Sequence, residues 1–188
     1  MRTWLYWCVL LGMGCKSSSS SPQESLTLFS DTLRGLSPCQ ELRLRLQPFF
    51  PPFTLPPTQS LDPFPPHLQD WLKQHLQPNG VYAPVGRWSG HASRELWLIE
   101  LISAEGAFFY AVLAETTCKV LDTMLWAYQQ VYPDRLEQAQ VTIHRDGICK
   151  GRSESRITSF KGDEPRTTTA LREYEYQVDW AAGKLRSL

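Results

Sequence analysis

The chain lacks an excess of charge of either sign: 19 basic and 19 acidic residues cancel over 188 positions. Without a positive surplus there is no general pull toward nucleic acid, which binds through neutralised phosphates. Histidine is scarce, with four residues. His67 and His75 stand eight positions apart, not at the four-residue spacing that lets two imidazoles on a helix share a metal. CxxC, HExxH and Asp-rich loop patterns are absent, so neither a metal nor another cofactor is expected. No GxxxxGK[ST], GxGxxG or GxSxG motif occurs, which removes the common phosphate loops and the nucleophile elbow. No repeat recurs at a period of some twenty to fifty residues. No apolar run reaches the ~20 residues that a membrane-spanning helix needs.

The amino end does carry a shorter apolar run. Met1 and Arg2 form a basic start, and residues 4–13 (WLYWCVLLGM) are apolar. That length fits the h-region of a signal peptide. Gly12-Met13-Gly14 is a small-x-small site, Cys15 follows it, and Lys16 leads into serines 17–21. The series Leu11-Gly12-Met13-Gly14-Cys15 resembles the lipobox of bacterial lipoproteins. The resemblance implies that Cys15 becomes the first mature residue and carries the lipid. The family prefers Leu three residues before the cysteine; here Gly12 holds that place and Leu11 stands one step earlier. Cleavage after Gly14 without lipidation is the alternative, giving a soluble periplasmic or secreted protein. Residues 1–14 are thus expected as signal peptide and residues 15–25 as a Ser-rich tether.

Proline is plentiful, fourteen in all, and eight of them fall in residues 48–66. Residues 26–66 are expected as an extended Pro-rich segment, since proline excludes helix interiors and central strands. Phe49, Phe50, Phe53, Leu55 and Phe64 make it either a strap packed on the folded domain or a partner-docking segment. Within it, ahead of Pro48, Ser37-Pro38 with Glu41 looks like a helix start, while Leu42, Leu44 and Leu46 alternate like a strand. Both readings stay open.

Residues 67–188 are expected to form the folded domain. Residues 67–76 (HLQDWLKQHL) read as an amphipathic helix with Leu68, Trp71, Leu72 and Leu76 on one face. Residues 95–103 and 107–114 read as two apolar strands covered on both sides and joined at Gly106. After Thr116 or Thr117 as cap, Leu121, Met124, Leu125 and Tyr128 suggest a second helix that Pro133 ends. Asp146-Gly147 signals a hairpin. Residues 151–169 read as a mobile loop or as two solvent-facing strands. Residues 172–180 (REYEYQVDW) alternate cleanly, with Tyr174, Tyr176, Val178 and Trp180 on one side. The expected fold is α+β: a small antiparallel twisted sheet of four to six strands with helices packed on one face.

The site candidates are few. Cys118 and Cys149 are the favoured disulfide, with Cys39–Cys118 as the other pairing, because an exported chain meets an oxidising compartment. Cys118 at a helix start, with His144 or His91 as base, would be a thiol nucleophile. Arg145, Lys150, Arg152, Arg156 and Lys161 form a locally basic run that suits anionic head groups or an acidic protein partner, or is simply a solvated loop. The functional expectation is an exported, lipid-anchored accessory or binding protein, held at a membrane surface by a lipid on Cys15. The alternative is a secreted hydrolase with a non-local site near Cys118, His144 or the Gly86–His91 turn.

Overall fold

Strand after strand, from residue 81 onward, pairs with the one before it. The computed structural model describes residues 35–56, 62–161 and 164–188, with the side chain of Lys161 outside that set. The leader, Cys15 and the tether also lie outside the described residues. Within them, residues 36–188 form one unit.

Helix α1 (Pro38–Arg45) opens on a capping box. The Ser37 hydroxyl accepts from the Gln40 N–H at 3.4 Å, and Gln40 Oε1 accepts from the Ser37 N–H at 3.0 Å. Pro38 sits at the first helical position, where its missing N–H costs no bond. Those local signals settle the open choice for this stretch as helix. Strand β1 (Phe53–Leu55) follows, then helix α2 (Pro66–His75), which buries Leu68 and Leu72.

The remaining strands are β2 (Val81–His91), β3 (Arg94–Ser103), β4 (Gly106–Glu115), β5 (Val120–Val131), β6 (Arg135–Ile143), β7 (Ile148–Lys161), β8 (Glu164–Asp179) and β9 (Lys184–Ser187). They lie in the order β2-β3-β4-β5-β6-β7-β8-β9, all neighbours antiparallel, and β1 pairs with β6. The β5–β6 ladder covers only Tyr128–Val131 against Leu136–Ala139, while β1 takes Val141–Ile143. The meander therefore splays between β5 and β6 and curls. The Leu185 N–H then donates to the Asp122 carboxylate at 3.0 Å, tying β9 back to β5.

Curling creates two apolar layers. Inside the curl, Leu96, Leu98, Phe109, Ala111 and Trp126 meet Val141, Ile143, Cys149 and Val178. On the opposite face of β2–β4, Trp97, Ile99, Tyr110 and Val112 meet Leu42, Leu46, Leu68 and Leu72 of the two helices. Strands β3 and β4 are thus covered on both sides, as their unbroken apolar runs require. The Pro-rich segment supplies the strap: Phe49 and Leu55 enter the inner layer and Phe64 the helix-side layer, while Phe50 stays exposed.

The α+β expectation is corrected: a nine-stranded antiparallel sheet dominates, with two short helices among the described residues. The error lies mainly after Glu115, where a turn at 116–119 leads into Val120–Val131, which form strand β5 and not a helix. Pairing with β4 slips twice, at Leu113/Ala114 and at Phe109/Tyr110. Each bulge adds a residue and breaks the two-residue alternation. Trp126 and Ala127 consequently both enter the inner layer, and the broken alternation imitates helical spacing. The other open stretch, residues 151–169, forms strand backbone continuous with β7 and β8 on either side of residues 162–163.

Candidate functional site

An open trough of about 620 Å³ lies on the outer face of β6, β7 and β8. Strand alternation builds it. Along β7, Cys149 and Gly151 contact the interior layer, so Lys150 and Arg152 face out. Register then sets two polar rows across the strands. Thr142, Lys150 and Glu175 form one, with Thr54 of β1 beyond Thr142; Gln140, Arg152 and Glu173 form the other. Opposite charges stand side by side, yet no two of the four charged groups close an ion pair with one another. All four remain open to a ligand that carries both signs.

On the interior side of the trough floor, Gly151 has no side chain. The Tyr174 ring covers that glycine from the neighbouring strand, so closely that a Cβ would overlap it. The Tyr174 hydroxyl lies 3.2 Å from the Trp126 carbonyl and 3.3 Å from that of Gln140, bridging the splay between β5 and β6. Burial pushes its pKa up, with the neighbouring Tyr176 adding to the effect.

Two of the five basic candidates, Lys150 and Arg152, line this trough. Arg156 lies further along β7 and pairs with Glu154 at 2.5 Å. Arg145 sits on the β6–β7 turn and donates to the Pro51 carbonyl at 3.2 Å. Lys161 ends β7. Glu154, Glu173 and Glu175 intersperse the outward cations of β7, so the face alternates in sign and is not a block of positive charge.

The favoured disulfide is corrected as well. Cys118 bonds Cys39, with Cα atoms 5.8 Å apart, and Cys149 is a buried free thiol. The reason is layer membership: Cys118 packs against the helix-side layer with Cys39, whereas Cys149 belongs to the inner layer. A bonded Cys118 has no thiol to donate. Burial, helped by the Asp146 charge, pushes the Cys149 thiol up to about 12, far from nucleophilic activation. His144 sits on the β6–β7 turn, where its N–H donates to the Ile148 carbonyl at 2.9 Å. The Gly86–His91 stretch is part of bulged β2, where Gly86 and Gly90 admit the rings of Phe49 and Trp180. Among the described residues no group of three His, Cys, Asp or Glu could hold a metal.

Sequence reading missed the burial of three carboxylates. Glu95 of β3 accepts from Arg43 Nε at 2.7 Å and Nη2 at 2.8 Å, from Arg87 at 3.1 Å, from Ser89 at 3.2 Å and from Trp97 Nε1 at 3.1 Å. Burial raises its pKa, but these bonds and the two guanidinium charges outweigh burial and hold it below the usual carboxylate value. The cluster pins α1 to the sheet. Glu41 does the same between helices, reaching Arg45 at 2.8 Å and His67 at 2.7 Å. Glu100 is the opposite case. It is 7 % exposed, faces the inner layer between Ala83 and Phe109, and has no partner among the described residues. Burial raises its pKa. Glu95 and Glu100 interrupt an apolar run, and that is the one signal the sequence offers for either.

Comparison with protein-family models, with curated proteins and with solved structures gave no match. Among the described residues no helix is long and apolar enough to cross a membrane.

Proposed function

We propose that this chain is an exported, non-enzymatic binding module, held at a membrane surface by a lipid on Cys15. The trough on β6–β8 is its ligand face in this reading, suited to a ligand or protein partner bearing both charge signs. The observation that carries the reading is the Cys39–Cys118 bridge. Disulfides of this kind persist in oxidising compartments and are rare in the cytosol. The bridge therefore agrees with the leader ahead of Cys15, which resembles a lipoprotein signal. Among the described residues Cys118 is bonded and the Cys149 thiol is buried with a raised pKa, which weighs against a thiol nucleophile there.

Intact-mass measurement of native protein from the membrane fraction tests the anchor. The expected mass begins at Cys15 and includes an acylated cysteine, and Cys15→Ser releases the protein into the soluble fraction. A native chain that still begins at Met1, or one that ends up soluble and unacylated, overturns the proposal. Lys150→Glu and Arg152→Glu then test the trough: loss of partner capture with an unchanged circular dichroism spectrum is expected.

A further inference from the structure

From the structure we infer that two copies of this chain pair edge to edge through β8, antiparallel and centred on Thr168. Strand β8 pairs with β7 from Glu164 to Gln177 without a bulge. Its other edge is taken by β9 only from Tyr176 to Asp179, with the Leu188 N–H reaching the Glu175 carbonyl at 2.9 Å. Glu164–Glu173 are all exposed, and among the described residues no strand covers their outer edge. A long, regular, uncovered edge is a template for another strand.

Backbone direction follows from the Glu175 carbonyl. It points away from β7, so by the period of two the outward groups belong to Pro165, Thr167, Thr169, Leu171 and Glu173. Pro165 thus has its missing N–H on the open side, where the β7 ladder loses nothing.

A two-fold axis normal to the sheet requires a residue to face its own copy, which leaves few registers. Centring on Ala170 would run Glu164 of the second copy opposite Tyr176, in the track that Ser187 fills. Centring on Thr169 sets Arg166 opposite Arg172 of the second copy, twice over, and like charges facing each other repel. Centring on Thr168 sets Glu164 opposite Arg172 of the second copy, again twice, and ends where β9 begins. The same register lays Leu171 of one copy beside Pro165 of the other, and Pro165 already neighbours Phe160. Leu171 and Phe160 are 52 % and 72 % exposed in the single chain. The pairing covers both, so charge and apolar surface select one register independently.

Sedimentation of the full chain should show a concentration-dependent dimer. Thr169→Pro, which removes an outward donor and leaves the β7 ladder intact, should leave a monomer with an unchanged circular dichroism spectrum. Single cysteines at Thr167, Thr168 and Thr169, oxidised beside the parent chain, read the register directly. Thr168→Cys should cross-link fastest, because residues facing each other across a non-hydrogen-bonded pair have the closest Cβ atoms. A parent chain that stays monomeric at every concentration, a Thr169→Pro variant that still dimerises, or cross-linking fastest at 167 or 169 would each overturn the inference.

Discussion

Opening the Cys39–Cys118 bridge is the perturbation that reports on fold and compartment together. The bridge closes a loop with a sequence separation of 79. By the loop-closure relation, removing it returns about 4.5 kcal/mol of conformational freedom to the unfolded chain. For a chain of this size each kcal/mol moves Tm by about 2–4 °C, so Cys39→Ala should lower Tm by roughly 9–18 °C. Helix α1 stays docked in the variant, because Arg43 still grips Glu95 with two hydrogen bonds. The far-ultraviolet spectrum should therefore keep its native shape below the transition. Thermal melts of parent and variant, with and without a reductant, measure the effect. Reductant should shift the parent to the variant's Tm and leave the variant unmoved. A parent that melts within about 2 °C of the variant under oxidising conditions would refute the reasoning, since that gap is worth less than about 1 kcal/mol.

Three further outcomes follow from buried titratable groups. Glu95→Gln keeps the shape but strands Arg43 and Arg87, and should cost about 3 kcal/mol in urea unfolding; the upper part of the range for broken buried pairs is not reached because Arg43 is partly solvated. Its folded pKa lies below its unfolded value near 4.5, so parent stability is complete above that value and drains as pH falls through the folded one. The Gln variant should show a shallower acid limb, and an equally steep limb counts against Glu95 as the cause. Glu100 runs the other way: its folded pKa is raised above 4.5, so its contribution is full in acid and lost as pH rises through the folded value. Glu100→Gln should raise the urea midpoint at neutral pH and leave it unchanged in acid, whereas destabilisation at neutral pH refutes this. Cys149 should resist iodoacetamide in the native chain and react once unfolded; rapid native alkylation would contradict its burial.

Legibility in the sequence tracked how local the governing physics is. The β3–β4 hairpin at Gly106 depends on adjacent residues, so it could be read; Ser37-Pro38 marks the α1 start, but the alternation of Leu42, Leu44 and Leu46 keeps a strand open there until the Gln40 capping bond is seen. Residues 172–179 could be read too, because strand β8 alternates without a bulge there. Strand β5 could not. Its spacing is set by two slips against β4, and a slip is a property of the pair of strands, not of either sequence. The disulfide failed for a similar reason. Cys118 and Cys149 both read as lying near the core, but the curl of the sheet assigns them to different layers. Lys150 and Arg152 were found by charge alone, and the glutamates that share their trough arrive from β8 through register.

The placement of open surface gives the two proposals a common physical basis. Helices cover one face of β2–β4, and the curl covers the other. Most of both faces of those strands is covered, apart from a depression of about 480 Å³ beside Leu101, Phe108 and Tyr110. Strands β7 and β8 carry a single apolar face, and beyond Tyr174 toward the tip even that face is exposed. Arg156 and Glu154 pair with each other on the outward face, whereas Lys150, Arg152, Glu173 and Glu175 stand in alternating sign without pairing. The trough lies on the outer face of these strands and the free edge runs along β8, so one copy pairing at Glu164–Arg172 leaves Lys150 and Glu175 open. Dimerisation and ligand capture are therefore separable: Thr169→Pro should abolish the first and spare the second, whereas Lys150→Glu should do the reverse. Coupled loss of both in either variant would mean that the trough is completed by the second copy.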